Sequence, residues 1–133
     1  MYTPTKLQRF QIWFANLGDA LNPEMSKTQY SLKVRPVLII SNNRQSSNPN
    51  FDLITIIPLT SNMDHLKYRE NVLIEMSQTT SRLPFKRFHY GVVNMHQMRV
   101  LQKSALTEYV GRVKSPEKIE LLNRNIKRYL SLR

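Results

Sequence analysis

The chain has 133 residues, enough for one hydrophobic core and too few for two comfortable domains. At 41% hydrophobic and 22% charged it lies in the ordinary globular range, which argues against wholesale disorder. Twenty Lys and Arg against nine Asp and Glu give a formal net charge of +11. Such a field attracts polyanions, nucleic acid first and anionic membrane second; the competing reading is a basic surface that serves only solubility. The absence of cysteine excludes a disulfide framework, a thiolate zinc site and a cysteine nucleophile. The stretch from Met1 to Lys6 lacks the apolar run of a signal peptide, and no run reaches membrane-spanning length. A cytoplasmic protein with no membrane partner is therefore expected.

No internal repeat, low-complexity tract or linker divides the chain, so residues 1–133 read as a single domain. Residues 11–17, rich in aromatic and apolar side chains, predict a first strand. A long loop follows over residues 18–33, holding Pro23. Loops of that length in compact domains usually act or are disordered. Residues 34–41 form a nearly continuous β-branched run, as in a strand buried on both faces. The polar turn formers of residues 42–50 predict a hairpin connection to a partner strand at 51–60. A shorter strand is expected at 71–76 and a last long one at 90–101. The period then changes. Ser115 before Pro116 and Glu117 is a sound N-cap, and Ile119, Leu122, Ile126 and Tyr129 repeat at helical spacing, giving a helix at about 116–131. About five strands and one terminal helix indicate a mainly β protein, a small antiparallel barrel with a helix packed against it.

Much chemistry is excluded. The three glycines, Gly18, Gly91 and Gly111, are isolated, so no phosphate-cradling loop is present. His65, His89 and His96 show no ligand spacing, and no carboxylates cluster as in a two-metal nuclease. No metal or other cofactor is expected. An enzyme built from this chain would work with Arg, Lys, Thr, Ser, His and backbone amides. Cleavage of RNA by its own 2′-hydroxyl needs nothing more: the substrate brings the nucleophile, and the protein orients it, stabilises charge on the phosphorane and helps the 5′-oxygen leave.

Four blocks carry a family resemblance. Arg35-Pro36-Val37-Leu38-Ile39-Ile40-Ser41-Asn42 resembles the second strand of the MazF/PemK toxin endoribonucleases, and Pro58-Leu59-Thr60-Ser61 resembles their Pro-Leu-Thr-Ser element. Gln97-Met98-Arg99-Val100-Leu101, then Lys103-Ser104, Leu106 and Gly111, is similar to their third block; Ile12 to Leu17 fits their first strand. Together the blocks cover roughly residues 9 to 113. The resemblance implies an SH3-like barrel of the CcdB/MazF/PemK type and a homodimer. It also implies metal-independent, sequence-specific cutting of single-stranded RNA, and neutralisation by a cognate antitoxin. Departures are visible. Phe10-Gln11 stands where the family has Gly-Asp, Ser26 to Ser31 replaces its Gly-Ser-Glu-Gln loop, and Gln102 replaces an aspartate. Asn94 and His96 occupy the positions of a catalytic Arg and acid in one branch, so that pair does not carry over.

The resemblance places Arg35 and Thr60 in catalysis. The guanidinium of Arg35 is a planar fork of donors suited to a phosphate or a pentacoordinate transition state, and it is a poor general base. Thr60 could hydrogen-bond a non-bridging oxygen, with Ser61 beside it. His96 is a third catalytic candidate, since imidazole can protonate a leaving oxygen; strand alternation would put it on one face with Asn94 and Met98, opposite Gln97. Its alternative is a partly buried structural histidine. RNA contacts are expected from Ser61, Gln97, Lys27 and the cations Arg82, Lys86 and Arg87. These last three interleave with Phe85, Phe88 and Tyr90 as in a single-strand platform, or else line a solvated loop whose aromatics anchor it. Lys118, Arg124, Lys127 and Arg128 read as the solvated face of the helix. Two rivals stand beside the enzyme: a non-catalytic CcdB-like gyrase poison, and a small basic nucleic-acid-binding module.

Overall fold

Alternating apolar residues with a strong β-branched bias build the frame of the protein. The computed structural model describes residues 4–18, 34–80 and 90–131. The strands are β1 (Gln11–Asn16), β2 (Val34–Ile39), β3 (Leu53–Thr60), β4 (Val72–Glu75), β5 (Tyr90–Val93), β6 (Arg99–Gln102) and β7 (Leu106–Arg112). Helix α1 (Asn43–Ser46) is a single turn, and α2 (Pro116–Tyr129) is the terminal helix. All strand pairings are antiparallel, in the order β4-β5-β3-β2-β1-β7, with β6 on β3 beside β5. The chain just after β4 then meets the end of β7, through a Thr79–Val113 bridge and bonds from Thr80 N to Arg112 O and Lys114 N to Gln78 O. The sheet therefore curls until its two ends touch, as a small barrel must to remove its free edges.

Both faces of the sheet are apolar. One carries Ile12, Leu38, Ile57, Leu59, Val93 and Met95, and receives Leu122 and Ile126 of α2. The other carries Trp13, Ala15, Val37, Ile39, Ile56 and Tyr109. Val37, Leu38 and Ile39 are all fully buried, as the unbroken apolar run of β2 predicts. The helix begins as its sequence says: the Ser115 side chain accepts from Lys118 N, and Pro116 opens the first turn. Arg124, Lys127 and Arg128 are exposed, whereas Lys118 is half-buried. No helix among the described residues is long and apolar enough to cross a membrane.

Three expectations are corrected. The link between β2 and β3 does join an antiparallel hairpin, but it carries a helical turn, α1, which the Asn42 side chain caps by accepting from Gln45 N. Lys103 then locks its far end, its ammonium donating to Gln45 O and Asn48 O at 3.2 and 2.8 Å. The strand expected at 90–101 is broken by a 3-10 turn at Met95–Gln97, separating β5 from β6. Tertiary bonds impose that break: Asn94 N donates to Pro58 O at 3.0 Å, and Met95 N to the Asn71 side chain at 2.9 Å. Finally, seven strands form rather than about five, since that break divides one and β7 adds another.

Candidate active site

The site follows from the β2–β3 register. Val37 pairs with Pro58, Leu38 with Ile57 and Ile39 with Ile56, each pair summing to 95. Continuing that register sets Arg35 opposite Thr60, two residues beyond the last pair. Pro36 has no amide hydrogen to offer β3, which is why the ladder stops at Val37 and leaves Arg35 and Thr60 beyond the last β2–β3 pair. Arg35 and Thr60 also share a face by alternation, that of Val37 and Ile56. On its other side Arg35 pairs with Ala15 of β1, and that pairing fixes its backbone.

Arg35 is exposed, its guanidinium donating to Val34 O at a long 3.4 Å. Thr60 is half-buried at the end of β3, beside Val92 of β5. Its hydroxyl oxygen accepts from Asn62 N at 3.2 Å. That bond engages a lone pair and orients the hydroxyl, leaving its hydrogen to donate elsewhere. Ser61 is exposed and next in line, and Asn62 caps a 3-10 turn at Met63–Lys67 by accepting from Asp64 N.

His96 lies on the 3-10 turn rather than in a strand, so the expected sharing of a face with Asn94 and Met98, opposite Gln97, does not hold. Asn94 and Met95 are buried, whereas His96 and Gln97 are both exposed. The His96 ring packs edge-on to Tyr68 at 5.1 Å and to Tyr129 of α2 at 5.5 Å. Two tyrosines from different elements thus fix its orientation. Its turn stays tied to the Thr60 strand by the Asn94 N–Pro58 O bond, two residues before Thr60. The sequence pattern gave no sign of either tyrosine neighbour. Lys27, Arg82, Lys86 and Arg87 lie outside the described residues. Among the described residues no three His, Asp or Glu side chains converge as metal ligands would.

An exposed guanidinium on β2 and an oriented hydroxyl on the neighbouring strand β3, in a curled basic barrel, are the kinds of donor that a phosphate-bearing ligand would need. Residues 8–130 match the family of PemK-like, MazF-like toxins of type II toxin–antitoxin systems, and the chain belongs to that family. The match extends past residue 113 to take in all of α2.

Solved structures share the fold at low identity. An endoribonuclease in complex with its cognate antitoxin from a mycobacterial species is 20% identical, with a TM-score of 0.61 over 98% of both chains. The Mycobacterium tuberculosis toxin MazF-mt6 is 17% identical, with a TM-score of 0.65 over 92% of this chain and 98% of that one. A chain of the MazE–MazF crystal structure (Form-II) from Deinococcus radiodurans is 15% identical, with a TM-score of 0.65 over 98% of this chain and 100% of the other. No curated protein matches the chain closely enough to count as a relative.

Proposed function

We propose that this toxin is an endoribonuclease that cuts single-stranded RNA in a sequence-specific way without a metal ion. The observation that carries the reading is the β2–β3 register, which, continued two residues past its last pair, would set Arg35 against Thr60. Family membership, the net charge of +11 and fold neighbours described as endoribonucleases support it. In this reading the 2′-oxygen bonds to phosphorus, its proton passing to solvent, as the bond to the 5′-oxygen breaks. Arg35 and the Thr60 hydroxyl meet the charge that builds on the non-bridging oxygens. His96, exposed and held by its tyrosines, gives the departing 5′-oxygen its proton. The products are a 2′,3′-cyclic phosphate and a 5′-hydroxyl. Ser61 and Gln97 contact the strand near the cut, with Lys27, Arg82, Lys86 and Arg87 further along it. The protein works in the cytoplasm as a homodimer and is silenced by a cognate antitoxin; a mycobacterial fold neighbour is an endoribonuclease in complex with its cognate antitoxin.

The test replaces only the attacking 2′-hydroxyl with hydrogen at a mapped cut site, in excess EDTA. Cleavage should vanish while binding persists. Cutting of the deoxy-substituted strand, or restoration of activity only by a divalent ion, would refute the mechanism and leave the gyrase-poison and binding-module readings to be tried.

A further inference from the structure

At the end of β1 remote from Arg35 lies a cavity of about 500 Å³ that the site above does not use. Its wall includes Lys6 and Gln8 from the segment before β1, Gln11 of β1, Tyr109 and Arg112 of β7, and Thr80 from the segment that closes the barrel. That volume suits a small ligand of nucleotide size. Gln11 is only 3% exposed, and both ends of its amide are engaged. It donates to Lys6 O at 3.2 Å and accepts from the Trp13 indole at 3.0 Å, so it pins the backbone that carries Lys6. Thr80 Oγ1 accepts from Arg112 N at 3.2 Å and retains its hydrogen to donate. The Lys6 and Arg112 side chains are exposed, and neither forms an ion pair among the described residues, where Arg124–Glu120 is the one such pair. An ammonium, a guanidinium and a hydroxyl donor line the same cavity, with no carboxylate among the described residues of the wall. That donor set matches a phosphate.

The position is informative as well. Gln11, Trp13 and Ala15 lie on one face of β1 by alternation, as the Gln11–Trp13 side-chain bond also requires. Ala15 pairs with Arg35, and four residues of strand span about 13 Å. One rigid strand thus holds the cavity and the Arg35–Thr60 pair at a fixed separation on a common face.

We propose that this cavity is a second RNA subsite, which takes a nucleotide of the same strand away from the cut and grips its phosphate with Lys6 and Arg112. The proposal rests on the reading of RNA as substrate. It is tested with an uncleavable 2′-O-methyl oligoribonucleotide, its binding followed by fluorescence anisotropy across a salt series. Parent protein, Lys6→Ala/Arg112→Ala and the helix-face control Lys127→Ala/Arg128→Ala are compared, each with a thermal melt. Loss of two phosphate contacts should lower the magnitude of the slope of log affinity against log salt by about 1.4 and weaken binding roughly tenfold at 0.15 M salt, with the control near the parent. Should the double variant melt early, Arg112→Gln alone serves, with a slope reduced by about 0.7. A parent that binds while both cavity variants keep its slope overturns the subsite alone. The subsite is overturned likewise if the helix-face control loses as much, because the effect is then only bulk charge. Uridine 5′-monophosphate binding the cavity, with oligonucleotide affinity unmoved by the variants, overturns the subsite in favour of a free-nucleotide site. A parent that binds no RNA at all overturns the substrate reading together with the subsite.

Discussion

Asn71 is the residue whose loss the fold should feel most at the site. Its side chain is buried and makes two bonds, Nδ2 donating to His65 O and Oδ1 accepting from Met95 N, both at 2.9 Å. The first steadies the turn after Thr60; the second holds the turn that carries His96 and Gln97. Asn71→Ala strands the amide of the fully buried Met95, at a cost of about 1–3 kcal/mol. His65 O keeps the Tyr68 N–H as a donor, so that side adds only about 1 kcal/mol. The total is about 3 kcal/mol, which lowers the melting temperature by roughly 10 °C in a chain of this size. Asn125→Ala is the matched comparison: it removes a single bond, to Glu70 O at 3.2 Å, and should cost about 1 kcal/mol. Urea denaturation followed by circular dichroism measures both. Asn71→Ala within about 0.5 kcal/mol of the parent, or less damaging than Asn125→Ala, would show that these bonds do not hold the two turns.

Phe10 adopts a left-handed backbone, with φ of 69°, although its ring is buried. Phe10→Gly and Phe10→Ala both lose the ring, but glycine should keep about 1 kcal/mol more, in the same denaturation assay; equal losses would count against the strain. His96→Phe preserves ring packing on Tyr68 and Tyr129 yet carries no proton. If His96 is the acid, it should cleave as poorly as His96→Ala, with a flattened pH–rate profile, while melting like the parent; wild-type cleavage by either variant would return His96 to a structural part.

The legible parts of the sequence were those in which local pattern and tertiary demand agree. The apolar run of β2 reads as a strand buried on both faces, and Ser115-Pro116 reads as a helix start, because capping is a local matter. The break between β5 and β6 was not legible. Residues 94–98 contain no Gly or Pro, and the turn exists because Asn71 and Pro58, distant in sequence, claim its amides. Similarly, Asn42 carries a cap signal too short to tell a helical turn from a hairpin loop. Arg35 and Thr60 entered as candidates through family resemblance, and only the strand register, continued past Val37–Pro58, gives a reason why they would meet. The left-handed Phe10 stands at the position where the family pattern has glycine, so that backbone turn persists without the residue that suits it. The cavity beside Gln11 had no sequence signature, since its walls come from three separated segments.

Single-turnover cleavage of a long RNA in excess chelator by Arg35→Ala, against Arg128→Ala, tests the central claim most directly. Arg35 lies on β2 where the β2–β3 register, if continued, would set it opposite Thr60, whereas Arg128 lies on the exposed face of α2. Losing one preorganised charge donor costs on the order of 10²–10³ in rate. Arg35→Ala should therefore cut at least about a hundredfold more slowly while melting like the parent, and Arg128→Ala should be nearly silent. An Arg35→Ala protein that cuts RNA as fast as the parent would contradict the assignment of the active site.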